Sequence, residues 1–211
     1  GKGSAAWQVT TIDAQSGEDK QTATCQHVVS ANGPLSSPRM PEVPGMETFQ
    51  GESFHTALWD RSASLKGKKV GVIGTGASAM QLAPVLAKGV SQLTIFQRSP
   101  HWIRILPDYH RKVGEGKQWL LENIPFYRNW YRFKLFWAYG DGIWESIHKD
   151  PSWPHADRSL NADNERHRNV YVKNLSDALN GNEELLAKVV PDYPPFAKRM
   201  LIDNHWCDML Q

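Results

Sequence analysis

From Lys69 the chain alternates in a way that predicts a particular unit. An apolar run, Val70, Val72 and Ile73, leads into a glycine turn at Gly74 to Ala79, then a helical pattern from about Ala77 to Lys88 and a second apolar run from Leu93 to Phe96. That order predicts a β-α-β unit whose parallel strands are joined by the helix. Pro84 removes one helical hydrogen bond and predicts a kink or an early stop. Upstream, Ala6, Trp7, Val9 and Ile12 alternate imperfectly, followed by a turn at Ser16-Gly17-Glu18-Asp19 and then Thr22, Thr24, Val28 and Val29, which predicts a hairpin ending in a buried strand. Asn32-Gly33-Pro34 and a connector with Pro38, Pro41, Pro44 and Gly45 have the character of an interdomain linker.

Beyond Pro107 no strand signal appears up to residue 190. Trp119 to Tyr139 is predicted as a helical stretch in which Phe126, Trp130, Phe133 and Trp137 share one face, expected to pack as core or between domains, with a substrate wall or dimer contact as alternatives. Further helices are predicted from about Asn164 to Leu179 and from Asn182 to Lys188. After Pro191-Asp192-Tyr193-Pro194-Pro195 the chain meets Lys198-Arg199 and reaches Gln211 as a helix or loop.

Composition narrows the class. The 211 residues are 40% hydrophobic and 22% charged with 9 Trp, enough apolar mass for a globular core. A net charge of +2, with Lys and Arg spread along the chain, gives no case for nucleic acid. Cys25 and Cys207 lie far apart with no metal-ligand spacing, which suits a reducing cytoplasm better than secretion, and no metal site is expected. No apolar run approaches the roughly 18 residues needed to span a bilayer, so no stable membrane association is expected.

The glycine turn carries the first chemistry. A dinucleotide turn needs glycine where the chain leaves the strand, a second where backbone approaches the pyrophosphate, and a small third residue where helix packs on strand. Gly74, Gly76 and Ala79 meet that pattern, and with Thr75, Ala77 and Ser78 they present a helix N-terminus to phosphate. At the end of the second strand, where an NAD site would hold a carboxylate, stand Gln97, Arg98 and Ser99. A guanidinium there favours NADP, because it can hold the extra phosphate that a carboxylate would repel.

The segment FQGESFHTALWD supplies Phe49, Gly51, His55, Trp59 and Asp60 at the spacing FxGxxxHxxxW(P/D). With the glycine turn, this signature resembles the Baeyer-Villiger monooxygenases, and among them the branch typified by 4-hydroxyacetophenone monooxygenase, in which Asp ends the pattern. The resemblance implies an α/β fold: a Rossmann-like NADP-binding domain with a helical insertion, flanked by partial FAD-domain segments. Residues 1–45 would be the tail of the first FAD segment, 46–68 the linker, 69–190 the NADP domain with its insertion at 107–190, and 191–211 the return towards the FAD domain. The family's FAD glycine turn stands upstream of anything present, so the resemblance implies an internal fragment, inactive alone. Its usual Ala-Thr-Gly turn is here Ala31-Asn32-Gly33.

The implied activity uses FAD, NADPH and O2 to insert oxygen beside the carbonyl of a small ketone or aldehyde, giving an ester or lactone. By resemblance Arg199 would stabilise the negatively charged flavin–oxygen adduct, Lys198 would reach the cofactor phosphate, and His55 would couple domain movement to catalysis or position NADPH, a satisfied packing histidine and a direct chemical role being the alternatives. Trp59 reads as a packing anchor. An N- or S-oxygenating flavin monooxygenase and a non-catalytic nucleotide-binding module stay open as alternatives, as does a homodimer.

Overall fold

The computed structural model describes residues 6–18, 20–33 and 35–211. Asp19 of the expected hairpin turn and Pro34 of the expected linker lie outside them. Two units divide after Arg61, Gly1–Arg61 and Ser62–Gln211.

In the first unit, strands β1 (Trp7–Thr11) and β2 (Gln21–Cys25) pair antiparallel, Trp7 opposite Cys25 and Thr11 opposite Gln21. Asp13 closes the connecting turn by accepting from the amides of Ser16 and Gln15, and Gly17 takes a left-handed φ of 69°. The expected buried strand does not form: β2 stops at Cys25, and Val28 and Val29 are exposed. A two-stranded ribbon offers nothing for them to bury against, and no described residue of this unit is buried. Short 3-10 turns at Met46–Thr48 and Thr56–Leu58 follow the proline-rich connector.

The second unit opens on the predicted β-α-β arrangement. Strand β3 (Lys69–Ile73), helix α1 (Ala77–Ala87) and strand β4 (Gln92–Phe96) follow in order, and the two strands pair parallel from Lys69–Gln92 to Ile73–Phe96. Val70, Val72, Leu93 and Ile95 alternate inward towards α1, which buries Ala79, Met80 and Ala83. Pro84 does not stop the helix early. It sits in the last turn, its ring is buried, and the helix continues to Ala87, so the lost bond is offset by packing.

Strand β5 (Ile103–Arg104) then pairs parallel with β6 (Leu201–Ile202), a contact across nearly a hundred residues. Between them lie α2 (Glu115–Asn123), α3 (Tyr127–Tyr139), α4 (Asp141–Trp144), α5 (Ala162–Ala178) and α6 (Glu183–Val189), in the segment expected to be helical. The aromatic stretch is two helices, not one. Pro125 holds Ile124 in extended conformation, and Phe126 turns left-handed at φ 61°, which removes it from the face of α3. Trp130, Phe133 and Trp137 are each more than half exposed, so among the described residues the stripe is not core.

Asn161 and Asn182 cap α5 and α6, accepting from the amides of Asn164 and Leu185. The residues after β6 form α7 (Trp206–Leu210), which packs on α1 and buries Trp206 and Cys207 beside Leu175, Leu179 and Val189. Desolvation pushes the Cys207 thiol up to about 12, so it is inert packing. No helix among the described residues is long and apolar enough to cross a membrane.

Candidate functional site

The turn between β3 and α1 is built by two glycines that act differently. Gly74 has a φ of 101°, which side chains rarely adopt, and its amide donates to Phe96 O at 2.9 Å, tying the turn to the end of β4. Gly76 is the N-cap of α1 at φ −76°, a conformation open to any residue, and a Cβ placed there would meet no atom within 4 Å. Neither backbone nor packing requires glycine at 76. A group approaching the backbone from outside would. Behind it the amides of Ala77, Ser78 and Ala79 occupy the first turn of α1, whose N–H groups have no intrahelical acceptor and whose dipole end is positive. Ala79 is buried where the helix meets the strand, as the small third position of the pattern requires.

Past β4 the chain runs through Gln97, Arg98, Ser99, Pro100 and His101. Thr75 is buried, and its hydroxyl donates to Ser99 O at 3.4 Å, linking the glycine turn to this segment. Lys198 arrives from the far end of the insertion and places Nζ 3.1 Å from Ser99 Oγ. Thr75, Ser99 and Lys198 thus converge from three parts of the sequence. Arg98 is exposed beside them. Gln97 has a structural attachment as well: its amide donates to Lys188 O at 2.8 Å, at the end of α6.

Two residues not read as functional from the sequence also stand here. His101 lines a water-sized cavity of about 10 Å³ with Thr75, Met80, Gln97 and Trp206, and its buried Nδ1 has no hydrogen-bond partner. Burial first and the Lys198 ammonium second hold its imidazole below the usual range, so it is neutral at pH 7. Tyr193 donates its hydroxyl to Pro100 O at 2.8 Å, and its ring lies 4.2 Å from Lys198 Nζ. Burial pushes its phenol up, keeping it a donor. Contacts spanning more than ninety positions leave no periodic trace in a sequence, which is why neither residue was foreseen.

Arg199 is exposed between Lys198 and β6. The other expected catalytic residue, His55, belongs to the first unit. There its Nδ1 accepts the Ala57 amide at 3.0 Å and caps the 3-10 turn, which puts the neutral ring's proton on Nε2. Phe54 and Trp59 meet edge to face at 4.9 Å, and the Phe49 ring occupies the space a Cβ on Gly51 would need. Much of the signature is therefore local packing.

The family model for flavin-binding monooxygenase-like proteins matches residues 2–117. A Sinorhizobium fredii protein described as uncharacterized monooxygenase y4iD is 45% identical over 187 residues, covering 89% of this chain and 28% of that protein. A Baeyer-Villiger monooxygenase of Streptomyces coelicolor is 33% identical over 198 residues, covering 94% of this chain and 34% of its own length. Among solved structures, OTEMO in complex with FAD and NADP aligns with a TM-score of 0.63 at 26% identity over 92% of this chain and 41% of its own. Cyclohexanone monooxygenase with ε-caprolactone bound aligns with a TM-score of 0.68 at 26% identity, over 97% and 42%. The chain thus spans about a third of the length of these curated relatives.

Proposed function

The chain belongs to the flavin-binding monooxygenase-like family, and from that premise we propose that it forms the NADP-binding part of a Baeyer-Villiger monooxygenase. The whole protein would use FAD, NADPH and O2 to insert oxygen beside the carbonyl of a small ketone or aldehyde. The observation that carries this reading is Gly76, a glycine that neither φ nor packing demands at the mouth of a β-α-β turn. The solved neighbour with FAD and NADP bound, and the Baeyer-Villiger relative, support the cofactors and the reaction class.

In this reading residues 69–190 are a Rossmann-like NADP domain with a helical insertion at 107–190. Residues 1–45 and 191–211 belong with an FAD domain, and 46–68 form the linker. Gly74, Thr75, Gly76, Ala77, Ser78 and Ala79 receive the pyrophosphate through main-chain donors and the end of the α1 dipole. Arg98, Ser99 and Lys198 hold the phosphate that distinguishes NADP from NAD, and Gln97 orients that segment through its bond to Lys188. When bound, NADPH supplies the hydride and FAD the route to oxygen activation. Arg199 contributes a permanent positive charge that lowers the energy of negative charge developing on a reacting oxygen, without giving up a proton. His55 holds the shape of the linker, since protonating Nδ1 would break its cap to Ala57.

Full-length protein supplied with NADPH, a cyclic ketone and isotopically labelled O2 should yield a lactone carrying one labelled oxygen. Oxygenation confined to amines or sulfides, with ketones untouched, would move the protein to the N- or S-oxygenating class. NADPH-dependent chemistry absent altogether would leave only a nucleotide-binding module.

A further inference from the structure

Tyr193 stands at the junction of the two segments that form the phosphate end of this site. Its hydroxyl donates to Pro100 O at 2.8 Å and its carbonyl accepts from Trp102 Nε1 at 2.9 Å, so one residue is stapled at both ends to the chain leaving β4. Trp102 is fully buried, which anchors the staple in the core. Immediately afterwards β5 and β6 pair, Leu201 N donating to Trp102 O at 2.9 Å. The six residues from Tyr193 to Lys198 are therefore held at both ends, with Lys198 exposed.

The Tyr193 ring lies 4.2 Å from the Lys198 ammonium, whose Nζ is at the same time 3.1 Å from Ser99 Oγ. An aromatic face is an unusual support for a binding-site lysine, and its chemistry differs from that of a carboxylate. A carboxylate would neutralise the ammonium and repel an incoming phosphate. The ring restrains the ammonium through its quadrupole while leaving the positive charge and the N–H donors available to oxygen. A surface lysine ordinarily gives up much rotamer freedom on binding an anion, and here part of that loss has been taken beforehand.

We infer that Tyr193 is a positioning residue for cofactor choice: it aims Lys198 at the phosphate held beside Ser99 and thereby sets the preference for NADP over NAD. The inference rests on the reading of Ser99 and Lys198 as the phosphate end of an NADP site. Its test is calorimetric titration of the full-length protein with NADP, NAD and 2′,5′-ADP. Tyr193→Leu should raise the Kd for NADP and 2′,5′-ADP about fivefold to tenfold and leave that for NAD within about twofold. Tyr193→Phe keeps the ring and should stay within about twofold of wild type for all three. Fluorinated phenylalanines at position 193 weaken the ring's negative face without changing its shape, so NADP affinity should fall stepwise with fluorine count even if Tyr193→Leu does not fold. In a Lys198→Met background Tyr193→Leu should have no further effect on NADP. Equal losses for NADP and NAD, or affinity flat across the fluorinated series, would reduce Tyr193 to a structural residue and overturn the inference. Wild-type protein that binds NAD as tightly as NADP would instead overturn the phosphate site itself, and the inference with it.

Discussion

Gly76 and Arg98 answer two different questions about one ligand. A methyl group at 76 meets nothing in the protein, and φ −76° suits alanine, so Gly76→Ala should leave thermal stability nearly unchanged. If the pyrophosphate rests on this backbone, the same methyl group occupies its place, and both NADP and NAD should bind about tenfold more weakly. Arg98→Ala should weaken NADP alone, by about 1.5 to 3 kcal/mol, the scale of a hydrogen bond to a charged group. Calorimetry with both nucleotides separates the two effects. Gly76→Ala binding NADP as well as wild type would remove the pyrophosphate from the turn, and equal losses from Arg98→Ala would mean that Arg98 does not read the extra phosphate. Both residues were legible in the sequence because a turn pattern and its distance to the next strand end are local features.

Elements were legible where their signals were local and lost where they were not. The order β3, α1, β4 follows from two apolar runs around a glycine turn, and α5 and α6 lie within two residues of their expected bounds, whereas α4 was not expected. Pro125 already marked the break between α2 and α3, but the regular aromatic spacing hid it. Strands β5 and β6 are two residues each and owe their existence to one another across the insertion, so no window of sequence could show them. Asn164 is what secures that insertion to the segment bearing Lys198. Its side-chain amide donates to Ser146 O at 2.9 Å and Pro195 O at 3.1 Å, and its oxygen accepts from Leu160 N at 3.3 Å. The residue is fully buried, so Asn164→Ala strands three polar groups and should cost about 3 kcal/mol. Chemical denaturation gives the stability, and NADP affinity should fall with it, since Pro195 lies between Tyr193 and Lys198. A loss below about 0.5 kcal/mol would show that water replaces the amide at all three partners.

For the whole molecule, half-buried ionisable groups set how stability responds to pH. His101 is held below the usual imidazole range by burial and then by Lys198, and His167 by burial and then by Arg166 and Arg104. His167 is stacked on Tyr171 at 5.9 Å and meets Phe196 edge-on at 5.3 Å, so a proton there brings charge into an aromatic cluster. Both groups titrate lower folded than unfolded. Between the folded value and the ordinary imidazole pKa near 6.5, the unfolded chain therefore binds more protons, and acid favours unfolding. The contribution is complete above that ordinary value and is lost progressively as pH falls from it through the folded value. Glu165 acts in a lower window: burial raises it, but Ser159, Arg158 and Arg168 together lower it more, so its contribution disappears only below the usual carboxylate range. The denaturation midpoint, followed by tryptophan fluorescence, should thus decline from about pH 7.5 to 5 before any carboxylate effect sets in. His101→Gln and His167→Gln should each flatten that decline, and the double variant should nearly remove it, because glutamine cannot take up the proton. A wild-type midpoint that holds steady or rises across the window would mean that both imidazoles reach water in the native state and that neither is sequestered as described.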